Sequence, residues 1–317
     1  MRVSPAGPLK GTVTLPGDKS ITHRAIILGS LADGVTEITG ALQSEDCRST
    51  ARAFVAMGAE VERIEDDRLR IQGCGLYGLK EPEDVLDAGN SGTTMRLLTG
   101  VLAGQPFFSV LTGDRYLRKR PMARITAPLK SMGAAIMGRD GGNLPPLAIR
   151  GTRLKGIDYA SPIASAQVKS ALLLAGLFAE GETTVTEPSL SRDHTERMFE
   201  GIGLPIQRNG LTVRVRGARA ISAFNLTVPG DFSAAAFFLV AALVIPGSEL
   251  TLRGVGINPT RTGLLDALRL MGATIEVSPP RIVSGEPVAD LFVRSQELRG
   301  AEVRGDLIPR MLDEVPA

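Results

Sequence analysis

The chain has 317 residues, of which 43% are hydrophobic and 22% are charged, a balance typical of a soluble globular protein with one or two cores. Its formal net charge of +2, from 36 basic and 34 acidic residues, does not favour a protein that binds nucleic acid or a membrane surface. With two cysteines, Cys47 and Cys74, and no apolar signal segment at its start, the chain is expected in a reducing cytoplasmic setting.

The first predicted helix follows the segment PGDKSITHR at residues 16–24. It brings the Lys19 ammonium, the Ser20 hydroxyl and the Arg24 guanidinium within about a turn and a half of a helix N-terminus, where backbone N–H groups and the helix dipole favour anions. The segment therefore predicts a phosphate or carboxylate site. A basic turn without function is the plainer alternative.

A second helix start is predicted at the glycine-rich segment GNSGTTMR, residues 89–96. Such a turn exposes several N–H groups and lets an anion approach closely, although an ordinary glycine turn is the commoner interpretation. The basic loop that follows, residues 115–120, ends on Arg120 before Pro121. Because the proline restrains the residue before it, Arg120 is the member of the loop that we expect to bind a carboxylate or phosphate.

Three later segments add candidates. Ser165 and Gln167 open a predicted helix, where Ser165 is expected first of all to cap the helix and Gln167 suits a hydroxylated substrate. Arg192 follows a predicted strand, and Asp313 belongs to a pair of carboxylates suited to general acid–base work.

The longest apolar run, Ala234 to Ile245, is shorter than the roughly 20 residues that span a bilayer. We interpret it as a buried helix.

Two glycine patterns recur along the chain. In the first, an apolar helix passes through a small turn into a β-type run, at Gly34, Gly104, Gly181 and Gly247. In the second, a helix ends on glycine and runs into a strand, at Gly58, Gly133, Gly203 and Gly272. Successive glycines of each pattern lie about 70 residues apart, which predicts a repeated α/β unit of that length.

The same repeat makes a prediction about the end of the chain. A fifth turn glycine is due about 70 residues past Gly247, at or just beyond Ala317. We therefore expect a truncated or incomplete gene product that stops inside a unit, in the segment 307–317.

Taken together, the candidates are several anion binders without a metal-ligand set, a nucleophile–base triad or a nucleotide fingerprint. This combination indicates an enzyme that joins two anionic small molecules by positioning and charge neutralisation.

Five segments together resemble the 5-enolpyruvylshikimate-3-phosphate (EPSP) synthase family: PGDKSITHR at 16–24, GNSGTTMR at 89–96, KRPM at 119–122, SAQ at 165–167 and PGDFS at 229–233. The resemblance implies transfer of the enolpyruvyl group of phosphoenolpyruvate to the 5-hydroxyl of shikimate 3-phosphate, with release of phosphate, in aromatic amino-acid biosynthesis. It also implies that no metal or organic cofactor is needed. We expect a cytoplasmic monomer that binds neither nucleic acid nor membrane.

The fold that the resemblance implies consists of two similar domains, each of three βαβαββ units in an inverse α/β barrel, with the site in the cleft between them. We expect residues 17–228 to form one complete domain, and residues 1–16 with 229–317 to form part of the second.

Site residues follow from the resemblance position by position. Shikimate 3-phosphate is expected on Lys19, Ser20, Arg24, Ser165, Gln167, Arg192 and Asp313. Phosphoenolpyruvate is expected on Lys19, Gly92, Arg120 and Gln167. Asp313 matches the aspartate that takes the proton of the 5-hydroxyl, and Lys19 assists proton transfer.

The chain also departs from the family pattern. Ala166 stands where many members have serine, Leu97 stands where many have proline, and a later segment that grips phosphoenolpyruvate is absent. We therefore expect negligible turnover by the chain as it stands. Two alternatives remain at this point: the sister enzyme that transfers enolpyruvate to UDP-N-acetylglucosamine, although residues 115–120 lack the cysteine typical of it, and a non-catalytic ligand-binding fragment.

Overall fold

The computed structural model of the chain describes residues 7–305 and 307–317. By its internal contacts the chain divides into two compact units. The larger unit is Lys19–Thr227, and the smaller unit combines the chain up to Asp18 with Val228–Ala317.

The helices and strands are numbered in chain order. The helices are α1 Lys19–Ser30, α2 Glu45–Ala56, α3 Gly92–Ala103, α4 Ala123–Ser131, α5 Arg139–Gly142, α6 Ala166–Gly176, α7 His194–Gly201, α8 Phe232–Val244, α9 Gly263–Leu270 and α10 Leu307–Met311. The strands are β1 Lys10–Thr14, β2 Asp33–Thr39, β3 Glu60–Glu65, β4 Arg68–Cys74, β5 Leu86–Asp87, β6 Phe108–Thr112, β7 Ala135–Gly138, β8 Leu144–Arg150, β9 Asp158–Ala160, β10 Glu182–Thr186, β11 Ile206–Asn209, β12 Thr212–Arg216, β13 Asn225–Thr227, β14 Glu249–Gly256, β15 Ile275–Val277, β16 Arg281–Val283 and β17 Glu286–Arg294.

The predicted repeat is visible in the sheets. The larger unit has three four-stranded sheets, ordered β13-β2-β4-β3, β5-β6-β8-β7 and β9-β10-β12-β11. In each sheet the first pair is parallel and the next two pairs are antiparallel. The sheet of the smaller unit follows the same rule as β1-β14-β17-β15, with β16 also paired to β17. This recurrence confirms the prediction of a repeated α/β unit.

Glycines of the two patterns mark the turns, with one exception. Seven of the eight have a positive φ, which L side chains rarely adopt: Gly34, Gly58, Gly133, Gly181, Gly203, Gly247 and Gly272. Gly104, predicted to belong with them, has φ −99° instead. A Cβ atom built on it would lie 2.5 Å from Cβ of Phe178, so close packing, and not backbone conformation, excludes a side chain there.

Three helices of the larger unit are buried along most of their length: α1, α3 and α6. Polar and charged residues in these helices lie mainly in the first turns, and the later turns are apolar, as expected of helices surrounded by protein. The helices α3 and α6 approach closely at Gly100, where an added Cβ would lie 2.3 Å from the carbonyl oxygen of Ala171. These helices form the core that supports the candidate site.

In the smaller unit, α8 packs one face against the sheet through residues such as Leu239 and Leu243. Asp231 caps this helix by accepting from the Ser233 amide over 2.7 Å. The prediction of a buried helix holds for one face of α8 only, because Phe237 on the other side is 58% exposed. One side of α8 faces away from the sheet, so the apolar run did not distinguish a helix buried all round from one covered on a single side.

Among the helices described, none has the length and apolar character needed to cross a membrane.

Candidate active site

The N-terminal turns of α1, α3 and α6 lie next to one another. Arg24 of α1 donates from Nη2 to Ser170 Oγ of α6 over 2.7 Å. Gln167 at the start of α6 donates from Nε2 to Thr93 Oγ1 of α3 over 3.2 Å. Each helix N-terminus carries a partial positive charge and N–H groups without helical partners, so three adjacent N-termini favour a bound anion. The repeat places one such turn in each of three successive α/β units.

At the start of α1, Lys19 and Ser20 are accessible and Arg24 is not. Lys19 Nζ lies 3.2 Å from Asp46 Oδ2, with about half of the lysine side chain exposed. Arg24 is 4% exposed, and its guanidinium donates to Thr195 Oγ1, to the Ser20 carbonyl and to Ser170 Oγ. Arg24 therefore joins α1 to α6 and α7, a structural role that the sequence did not predict.

The glycine turn before α3 is shaped for an approaching group. Ser91 caps the helix by accepting from the Thr94 amide. A Cβ on Gly92 would lie 2.8 Å from Arg96 Nη1 and 3.0 Å from Arg120 Nη1. The absence of a side chain at Gly92 thus leaves two guanidinium groups close to the same helix N-terminus.

Arg96 faces the start of α6, where its Nη1 donates to Gln167 Oε1 over 2.9 Å. Burial lowers the pKa of Arg96 to about 10, and the neighbouring guanidinium groups of Arg124 and Arg120 add to the effect. An anion bound here would relieve the repulsion among these three positive charges. Arg96 and Arg124 were not predicted as site residues, although Arg96 lies one helical turn after Gly92, and that spacing was an available signal.

Arg120 has the extended backbone expected before proline, with φ −80° and ψ 132°. Its Nη2 donates to Asn90 Oδ1 over 3.2 Å, and Asn90 in turn donates to Asp114 over 2.6 Å. The Leu117 amide and the Asn90 side chain hold the pKa of Asp114 below its ordinary value. An ionised Asp114 therefore orders the loop that presents Arg120.

At the start of α6, Ser165 has the cap role that the sequence favoured, accepting from the Val168 amide over 3.5 Å. Its own amide donates to Glu187 Oε1 over 2.8 Å. Arg192 is half-buried in the segment between β10 and α7. Lys19, Ser20, Arg24, Gly92, Arg120, Ser165, Gln167 and Arg192 all belong to the larger unit.

Asp313 belongs to the smaller unit, where it is exposed in the turn after α10. Its neighbour Glu314 is 3% exposed, accepts from the Ser233 hydroxyl and lies 3.5 Å from Arg261 Nη2. Burial lowers the pKa of Arg261, but the carboxylates around it, led by Asp18, outweigh that effect and raise it. This buried charge cluster anchors the segment that carries Asp313.

Among the residues that the structure describes, no group of three or more His, Cys, Asp or Glu side chains is arranged to hold a metal ion. What the larger unit offers instead is positive charge, helix N-termini and hydroxyl and amide groups, all suited to phosphate, carboxylate and hydroxyl groups.

Residues 3–317 match the family model of EPSP synthase (3-phosphoshikimate 1-carboxyvinyltransferase). The 3-phosphoshikimate 1-carboxyvinyltransferases of Geotalea uraniireducens and Desulforamulus reducens are 59% and 54% identical over 314 residues, which cover 99% of this chain and 73% of each relative. An EPSP synthase structure from Acinetobacter baumannii superposes with a TM-score of 0.90 at 47% identity, covering 98% of this chain and 71% of that one.

These matches confirm the resemblance and the fold class, and they do not favour the UDP-N-acetylglucosamine enolpyruvyl transferases. They do not bear out the truncation predicted from the repeat. The family model, the sequence relatives and the solved structure all point to the same family. The chain belongs to the EPSP synthase family.

Proposed function

We propose that the chain acts in the transfer of the enolpyruvyl group of phosphoenolpyruvate to the 5-hydroxyl of shikimate 3-phosphate, with release of phosphate. The observation that carries the proposal is the meeting of three helix N-termini with the guanidinium groups of Arg96 and Arg120 in the larger unit. Both substrates carry a phosphate and a carboxylate, which are the groups that such a surface stabilises.

The acceptor, shikimate 3-phosphate, binds through a set of donors on the three helix starts and the segment before α7. These are Lys19, Ser20, Arg24, Ser165, Gln167 and Arg192. Lys19 supplies a half-exposed ammonium, and Ser20 and Ser165 supply hydroxyl groups. Arg24 contributes its charge while it holds the helices together, because its guanidinium is buried among protein partners.

Phosphoenolpyruvate binds at the glycine turn through Lys19, Gly92, Arg120 and Gln167. The absence of a side chain at Gly92 lets the ligand approach the N-terminus of α3 beside the Arg96 and Arg120 guanidinium groups. Arg120 offers a planar fork of N–H groups that fits a carboxylate or phosphate in a bidentate manner. Arg96 holds Gln167 in place for this contact.

The reaction is an addition followed by an elimination. Asp313 accepts the proton of the 5-hydroxyl while that oxygen forms a bond to C2 of phosphoenolpyruvate, and C3 gains a proton to become a methyl group. The tetrahedral intermediate then loses phosphate from C2 as C3 gives up a proton, which restores the double bond. Lys19 assists proton transfer and neutralises developing negative charge.

Calorimetric titration tests the acceptor assignment. The 317-residue chain should bind shikimate 3-phosphate and not UDP-N-acetylglucosamine. Lys19→Met should weaken binding, whereas Lys155→Met, which removes an exposed lysine of the same unit, should not. No binding by wild-type chain that circular dichroism shows to be folded would contradict the proposal.

Finer features accompany the proposal. We infer a cytoplasmic monomer in which residues 17–228 fold as a complete domain and residues 1–16 with 229–317 belong to a second.

A further inference from the structure

One buried carboxylate, that of Glu187, connects the two segments that carry the proposed acceptor contacts. Glu187 directly follows β10 and is 4% exposed. Its Oε1 accepts from the Ser165 amide over 2.8 Å, and its Oε2 accepts from the Ser191 hydroxyl over 2.8 Å. Ser165 precedes α6, and Ser191 is the residue immediately before Arg192.

A buried lysine lies against this carboxylate. Lys169 Nζ lies 2.7 Å from Glu187 Oε2 and 2.7 Å from Glu196 Oε1. All three side chains are at most 3% exposed. Burial lowers the pKa of Lys169, but the two glutamates outweigh that effect and raise it, so the ammonium stays charged between them. The contact with Lys169 and the hydrogen bonds from Ser165 and Ser191 hold the Glu187 side chain from three sides, which makes it a firm attachment point for both segments.

The bond to the Ser165 amide resembles part of a capping box. In that motif a glutamate in the first turn holds the backbone N–H of the residue that caps its own helix. Here the glutamate lies just after β10 and reaches Ser165 from 22 positions along the chain. The cap residue of α6 is thus fixed from outside its own helix, and Gln167 lies two residues further on.

We propose that Glu187 is a positioning residue for shikimate 3-phosphate, holding the Ser165 and Arg192 segments in the geometry that the ligand requires. This inference rests on the proposed function, because it takes those segments to bind the acceptor. Glu187 does not touch the ligand in this account. It acts through Ser165 on one side and through Ser191 on the other.

The test compares two buried carboxylates that share one lysine. Glu187→Gln keeps one acceptor oxygen, which the Lys169 ammonium favours at the Oε2 position, and so places an NH2 donor against the Ser165 amide and removes that attachment. Glu196→Gln alters a partner of Lys169 with no hydrogen bond between its side chain and either segment. Titration of each folded variant with shikimate 3-phosphate should show about tenfold weaker binding for Glu187→Gln, because small misplacements of contact groups are costly. Binding by Glu196→Gln should stay within about twofold of wild type.

Hydrogen exchange in the absence of ligand supplies a second readout. The Ser165 amide should exchange faster in Glu187→Gln than in Glu196→Gln. Unchanged affinity in Glu187→Gln, an equal loss in both variants, or an unchanged Ser165 exchange rate would overturn the positioning role. If Glu187→Gln does not fold, Ser191→Ala decides: it keeps the ion pair and should weaken binding about threefold, and no change would overturn the proposal.

The two proposals fail in different ways. Wild-type chain that is folded but does not bind shikimate 3-phosphate would contradict the proposed function, and the role of Glu187 in binding would fall with it. Wild-type chain that binds, together with a Glu187→Gln variant that binds equally well, would overturn the positioning role alone.

Discussion

Arg96 and Gln167, 71 positions apart in the chain, are joined by a hydrogen bond of 2.9 Å from the arginine Nη1 to the amide oxygen of the glutamine. The bond links the first turns of two buried helices, α3 and α6, and directs the Gln167 amide nitrogen towards Thr93, 3.2 Å away. Gln167, which belongs to both proposed ligand sites of the larger unit, is therefore held in one position. We expect disturbance of the glycine turn to affect the binding of both substrates.

Gly92→Ala should weaken binding of phosphoenolpyruvate several-fold with little change in stability. The added Cβ would lie within 3.0 Å of the Arg96 and Arg120 guanidinium groups. These flexible side-chain ends can move aside, which keeps the cost in stability small. Once moved, however, they no longer lie where the ligand would contact them. Calorimetric titration and thermal unfolding measure the two effects. Gly201→Ala is the control, because a Cβ there meets nothing within 4 Å. Equal ligand affinity in the Gly92 variant would contradict the assignment of this turn.

Arg120→Lys should lower affinity for phosphoenolpyruvate about tenfold, because an ammonium cannot reproduce the bidentate contacts of a guanidinium. The matched substitution Arg118→Lys changes an exposed arginine of the same loop and should leave affinity unchanged. The comparison uses direct titration of both variants. An equal loss of affinity in both variants would contradict a specific role for Arg120, and unchanged affinity in both would indicate that only the positive charge of the loop matters.

The sequence predicted features that depend on neighbouring residues. The helix starts at Lys19, Gly92 and Ala166 and the extended backbone of Arg120 follow from local capping and proline chemistry, and the structure has them as expected. The Arg96–Gln167 bond and the attachment of Ser165 to Glu187 were not predicted. Such pairs form between different elements, so only the packing of the helices and sheets determines which side chains meet.

Lys169→Met should destabilise the larger unit by roughly 3–5 kcal/mol, because it leaves two buried carboxylates without their common partner. Denaturation by urea measures the free energy of unfolding. Arg216→Met provides the comparison, since it removes an exposed partner of Glu182, 3.0 Å away, and should cost at most about 1 kcal/mol. A cost for Lys169→Met as small as that of the control would show that the buried triad contributes little.

Stability should depend on Asp114 at low pH. Its pKa is lower in the folded chain than the value of about 3.9 expected when unfolded, so its ionised form favours folding above that value. This contribution should disappear as the pH falls through the lower folded pKa. The difference in melting temperature between wild type and Asp114→Ala should therefore shrink as the pH is lowered from 6 towards 3. A difference that grows on acidification would contradict the assigned direction.

The most direct measurement is a crystal structure of the chain with shikimate 3-phosphate bound. The account predicts the ligand at the N-terminal turns of α1 and α6, with contacts to Lys19, Ser20, Ser165, Gln167 and Arg192. Ligand bound elsewhere, or bound without contact to Ser165 and Gln167, would contradict the proposal that these helix starts form the acceptor site.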